Sequence, residues 1–102
     1  MAGGRNGGSL LLYIDKEESN TRIFSEQEWA KLVSELSLSP RQEQIVRYLF
    51  DGLADKQIAL SMEIAVPTVR THLTRLFSKL HVNDRSELIL HVFREFRRNN
   101  GH

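Results

Sequence analysis

The sequence predicts an all-α protein: a four-helix helix-turn-helix domain with an extra N-terminal helix and a short extended segment before it. Three observations carry that prediction. Apolar residues recur at three- and four-residue spacing in five stretches between residues 25 and 98. Serine capping boxes open two of those stretches. At residues 55–80 a short helical stretch, a tight turn and a longer helical stretch follow one another, which is the helix-turn-helix order.

The chain has 102 residues, enough for one domain with one modest core. Hydrophobic residues make up 40% and charged residues 26%, a mixture that argues against wholesale disorder. There is no cysteine, which excludes a disulfide scaffold, thiol catalysis and cysteine-bound zinc or iron–sulfur centres. The longest fully apolar run, residues 10–14, is far too short to span a bilayer, so no membrane association is expected. The N-terminus lacks a signal-peptide pattern, and a cytoplasmic location is expected.

The net charge of +1 hides an asymmetry. Residues 1–38 hold four basic side chains against six acidic ones, net −2. Residues 39–102 hold ten basic against seven acidic, net +3. Residues 64–83 contain no acid but carry Arg70, Arg75 and Lys79. A local basic stretch in a near-neutral chain suits a polyanion, although a solvated helix face has the same look.

Residues 1–9 hold four of the six glycines and read as a flexible tail. The strip at residues 10–14 has strand propensity but no partner strand, so it needs cover from a helix or a second chain. The first helix is expected to start at Ser25, whose capping box closes on Glu28, with Phe24 and Trp29 flanking the cap as a hydrophobic staple. Trp29, Leu32, Val33 and Leu36 form its inner face. Ser39 opens the next helix, with Pro40 at its first position, Gln42 closing a second box and Gly52 as the stop. Its inner face is Ile45, Val46, Leu49 and Phe50. Asp55 is the expected cap of a short helix carrying Ile58, Ala59 and Met62. A turn at residues 63–65 leads into a helix over residues 66–80, with Pro67 tolerated in its first turn. Val69, Leu73, Leu76 and Leu80 are its inner stripe. Ser86 or Asp84 caps a last helix with Ile89, Val92, Phe93 and Phe96 inside, and residues 97–102 are expected to fray. The resulting division is 1–24 as tail and extended segment, 25–37 as the N-terminal helix and 38–98 as the helix-turn-helix domain.

In a helix-turn-helix the first helix crosses the phosphates and the second lies in the major groove, which admits an α-helix. At 100° per residue, the buried stripe of residues 66–80 leaves Arg70, Thr71, Thr74, Arg75 and Ser78 outside. Arg70 is suited to bidentate bonding with guanine, and Thr71 and Thr74 offer a hydroxyl and a methyl. Arg75 and Thr68 are placed for phosphates, Thr68 in a first turn where backbone N–H groups favour anions. A plain amphipathic helix with a polar outside shares these features.

Residues 38–92 resemble the LuxR/GerE-type helix-turn-helix, also found at the C-terminus of NarL/FixJ response regulators. The matching pieces are LSPRQEQIVRYLFDGLADKQIA, TVRTHLTRLFSKL and VNDRSEL, in the family's order and spacing. The resemblance implies a four-helix, dimeric, sequence-specific transcription regulator with no cofactor. By position it implies base contacts from Arg70, Thr71 and Thr74, and contacts to phosphates from Lys56, Thr68 and His72. Thr74 stands where relatives are often basic. Gln42 and Gln44 stand at usual glutamates, Glu63 and His81 at usual glycines, and Ala65 at the usual Ser/Thr cap.

No catalytic apparatus is legible. His72, His81, His91 and His102 share no helix face, so no metal site is expected, and no phosphate-binding glycine loop or paired serine and base occurs. The alternative function is a helix-turn-helix used for protein–protein interaction, with residues 10–36 as the acidic, apolar surface for a protein partner. Double-stranded DNA and a second copy of the chain are the expected partners, since one such domain reads only a few base pairs. Leu88 and Leu90, beside the core stripe of the last helix, are the dimer-interface candidates, with the strip at residues 10–14 as another.

Overall fold

The computed structural model describes residues 23–100. The predicted extended segment lies outside the described residues. Ser25 takes extended backbone, accepts a hydrogen bond from the Glu28 amide at 3.1 Å and donates its own amide to Glu28 Oε1 at 2.8 Å. This reciprocal cap starts α1 (Glu26–Leu36). Ser39 and Gln42 repeat the arrangement at 3.1 and 2.9 Å, with Pro40 first in α2 (Pro40–Phe50). The remaining helices are α3 (Asp55–Met62), α4 (Val66–Leu80) and α5 (Arg85–Asn100). Five helices and no strand among the described residues make the protein all-α.

Four helices end in the same way. At Ser37, Gly52, Glu63 and His81 the chain enters the left-handed region, with φ of 55°, 79°, 59° and 60°. The amides of Leu38, Leu53, Ile64 and Val82 then reach back to the carbonyls of Val33, Tyr48, Ala59 and Phe77 at 2.9–3.1 Å. This is the Schellman closure, and the residue after each turn is apolar and lies in the core or packs against it. Only one of the four turns uses glycine. A side chain in this conformation costs about 1–2 kcal/mol.

The core unites all five helices. Trp29, Leu32 and Leu36 of α1, Ile45, Val46 and Leu49 of α2, and Ile58 and Ala59 of α3 are buried in it. The stripe Val69, Leu73, Leu76 and Leu80 of α4 is buried as predicted. Helix α1 packs on α5, and α3 packs on α4. Phe24 sits at the hub of an aromatic group, with Trp29, Phe50, Phe93 and Phe96 at centroid distances of 5.1, 5.6, 5.4 and 4.7 Å. Lys79 of α4 also donates to the Ser37 carbonyl at the end of α1 and to Gln42 Oε1 of α2 at 3.0 Å. Arg47 lies 5.1 Å over the Trp29 ring and pairs with Glu26 and Glu43. Its hydrogen bond holds the Glu26 carboxyl below the usual range. A depressed carboxyl stabilises the fold above its unfolded value and loses that contribution as pH falls through the folded one. Here the effect is small, because Glu26 is solvent-exposed.

The structure corrects several expectations. Leu88 is fully buried and is spent inside the monomer, so it is no dimer surface, whereas Leu90 is 52% exposed. Helix α5 buries Leu88 and Val92, and Phe93 keeps one edge in solvent at 38% exposure. Phe24 belongs to the core rather than to a tail. Ala54, not Asp55, is the N-cap of α3, and the closure comes from Gln57 Oε1 accepting the Ala54 amide at 2.8 Å. Of the two cap candidates named for α5, Asp84 is the one that caps it, accepting the Glu87 amide at 2.9 Å. That helix continues to Asn100 rather than fraying from residue 97.

Two backbone sites flank the α3–α4 turn: Glu63 at positive φ, and Ala65, the α4 N-cap without a side-chain bond. Glu63→Gly is expected to raise stability by roughly 0.5–1 kcal/mol, the left-handed cost removed less the entropy of glycine. Ala65→Ser is expected to add about 1 kcal/mol by capping α4. Thermal melts followed by circular dichroism check both; an unchanged midpoint for Glu63→Gly counts against strain at that turn.

Candidate nucleic-acid interface

Helix α4 turns its buried stripe to the core and leaves the opposite side bare. Thr68, Arg70, Thr71, Thr74, Arg75 and Ser78 are all exposed, and no acidic residue lies on the helix. At about 100° per residue, Thr71 and Ser78 lie farthest from the stripe, with Thr74 and Arg75 on either side of them. Arg70 lies at the edge nearer α3, and His72 lies at the other edge, where it is half-buried. The predicted base-reading and phosphate residues of α4 therefore share one surface, except that His72 is partly drawn towards the protein. Lys56, at the second position of α3, is exposed beside this surface and lines an open groove with Asp55, Arg70 and Arg85.

Two details change what these groups offer. The Thr71 hydroxyl donates to the Pro67 carbonyl one turn back at 3.1 Å. Its proton is engaged within the helix, so outward it presents lone pairs and a methyl. The first turn of α4 is a poorer anion site than the sequence suggests. Pro67 has no N–H, and the Thr68 and Val69 amides both donate to the Ala65 carbonyl at 3.0 and 3.1 Å. What remains at Thr68 is its exposed hydroxyl.

An ion network that sequence periodicity does not reveal runs behind Arg70. Arg70 Nε donates to Asp55 Oδ2 at 3.3 Å. Arg85, at the start of α5, donates to the other oxygen of Asp55, Oδ1, and to the Leu53 carbonyl at 2.9 Å. The Asp55 carboxylate thus bridges two arginines from two other helices. Among the described residues no group of three or more His, Cys, Asp or Glu is placed to hold a metal ion. No helix of the described residues is long and apolar enough to cross a membrane.

A short helix and a longer one, joined by a three-residue turn, with the longer helix bare on its outer side, define a helix-turn-helix domain. Residues 36–92 match the family model of bacterial regulatory proteins, luxR family. That match covers more than half of the chain, and the chain belongs to the luxR family of bacterial regulatory proteins. The probable HTH-type transcriptional regulator GfsR of Streptomyces halstedii is 40% identical over 55 residues, 54% of this chain and 23% of GfsR. The HTH-type transcriptional regulator MalT of Klebsiella pneumoniae strain 342 is 29% identical over 71 residues, 70% of this chain and 8% of MalT. The chain spans less than a quarter of the length of these relatives. No solved structure matches it significantly.

Lys56 lies on α3, outside the exposed side of α4, and carries a plain point charge. Lys56→Ala is expected to weaken binding to all duplexes alike and to lower the slope of log affinity against log salt by about one unit. A salt titration on specific and random DNA checks this; an altered base preference at an unchanged slope contradicts a phosphate role.

Proposed function

We propose that this domain binds duplex DNA in a sequence-specific manner and regulates transcription in the cytoplasm, with α4 in the major groove. The observation that carries the reading is the exposed, acid-free side of α4 within the luxR-family match. A helix fits the major groove, and only there do all four base pairs present distinct patterns. Arg70 donates bidentately to guanine, Thr71 presents an acceptor and a methyl, and Thr74 offers a hydroxyl and a methyl. Lys56, Thr68, Arg75 and the accessible edge of His72 meet phosphates. Neither a catalytic step nor a cofactor enters this function.

The active species we propose is a homodimer, because two copies reading half-sites about one helical turn apart read more sequence than one. Leu90, exposed on α5 with Val82, His91 and Arg94 around it, is the contact candidate that remains. A role for residues 10–36 in holding a protein partner is narrowed by the fold. The apolar face of α1 is buried within the chain, which leaves the acidic outer side with Glu26, Glu28 and Glu35. Residues 10–22 lie outside the described residues.

Selection from random duplexes followed by salt titration tests the function. DNA binding predicts an enriched, near-palindromic motif and steep salt dependence, whereas an interaction module enriches nothing. On the selected site, Arg70→Ala is expected to lose about 1–3 kcal/mol and to relax preference at one guanine. Equal loss on specific and random DNA contradicts a base-reading role. Leu90→Asp is expected to weaken binding to paired half-sites while leaving a single half-site unaffected, as gel shifts on the two duplexes can show.

A further inference from the structure

Arg70 is 68% exposed on its side chain, yet it is held. Its Nε is engaged by Asp55 Oδ2 at 3.3 Å, on the side of α4 that faces α3. Asp55 is itself fixed from behind by Arg85, which is anchored to the Leu53 carbonyl at 2.9 Å. Asp84, which lines an adjoining groove with Asp55, Arg70 and Arg85, is committed to capping α5 through the Glu87 amide at 2.9 Å. Arginine has a planar fork of five N–H donors. A bond at Nε constrains the fork's plane while its two terminal amino groups remain to donate to a second partner. A long side chain held this way has less rotamer freedom to lose on meeting a base.

We propose that Asp55 is a positioning residue that sets the base preference of this domain by orienting the Arg70 guanidinium, with Arg85 holding Asp55 in place. The inference rests on the DNA-binding reading above and adds a residue that does not touch DNA. Arg85 has a second role: it offsets the Asp55 charge, which otherwise repels phosphates beside Lys56. Asp55 therefore opposes binding to DNA in general and favours the correct base in particular.

The test uses the full chain and the duplex selected for it, with guanine and its three replacements at the position that Arg70→Ala relaxes. Asp55→Ala is expected to reduce the guanine preference about tenfold, within the range that a bidentate contact supplies. The same variant is expected to bind random duplex more tightly, with thermal melts confirming that it is folded. Asp55→Asn keeps an oxygen that accepts from Nε but loses the charge, so it is expected to retain most of the preference. An Asp55→Ala variant that keeps the wild-type preference overturns the proposal, as does an Asn variant that falls as far as Ala. If Asp55→Ala binds the selected site more tightly with its preference intact, Asp55 acts as a restraint on Arg70 and the proposal fails. Should Asp55→Ala not fold, Arg85→Met, which frees Asp55 from its anchor, is expected to lower the preference, and an unchanged preference there also overturns the proposal. A wild-type chain with no base preference at all overturns the DNA reading itself, a result distinct from the others.

Discussion

Burial of one side of α4 is the constraint on which the rest of this structure depends. Val69, Leu73, Leu76 and Leu80 are each at most 6% exposed. Burying one such side chain contributes about 1.5–3 kcal/mol, so the four together rival the net stability of a whole domain. Turning the helix by one residue would move the stripe by about 100° and expose much of it. The direction in which Arg70, Thr71, Thr74 and Arg75 point is therefore decided by apolar residues on the far side. The outward side chains contribute little to folding, and this leaves them open to be selected for what they bind.

The ends of the helices set how α4 is presented. A left-handed residue followed by an apolar one closes α1, α2, α3 and α4, and the closure between α3 and α4 fixes the turn of the helix pair. At Glu63 a charged side chain is accepted there because the carbonyls of Ala59 and Leu60 are satisfied at 3.0 and 3.3 Å and Ile64 is half-buried. Orphan carbonyls cost more than the left-handed backbone does, so the motif persists without glycine.

Five helices, both serine caps, the Gly52 stop and the α4 stripe were legible because each is a local pattern of a few residues. Ser37 was not legible as a left-handed stop, since serine more often opens helices. The apolar residue after it, Leu38, was the available signal, and it recurs after the other three stops. The inner side of α5 was ambiguous for a different reason. Leu88, Ile89, Leu90, Val92, Phe93 and Phe96 cover much of the helix circumference, so periodicity alone does not choose among them. The choice falls to the aromatic group around Phe24, whose members are scattered along the chain. The outward placement of Arg70, Thr71, Thr74 and Arg75 was legible from the stripe they oppose. The network behind them joins residues 15 and 30 apart in sequence and has no periodicity. One hint existed: Arg85 opens α5, where the helix dipole disfavours a cation, so an acid elsewhere was needed to hold it.

Magnitudes decide whether the Asp55–Arg70 pair and a base compete. An ion pair as exposed as this one contributes about 0–1 kcal/mol. A bidentate arginine–guanine contact discriminates by about 1–3 kcal/mol. If the two excluded each other, the base would win, and Asp55 would reduce affinity only slightly. They need not exclude each other, because Asp55 takes Nε and leaves both terminal amino groups of the guanidinium. In the proposed complex, entry into the groove would also remove water from around the pair and so strengthen a bond that is weak in the free protein. Asp55 is already bridged by Arg85, so its carboxylate enters that drier setting with both oxygens occupied rather than as an unpaired charge.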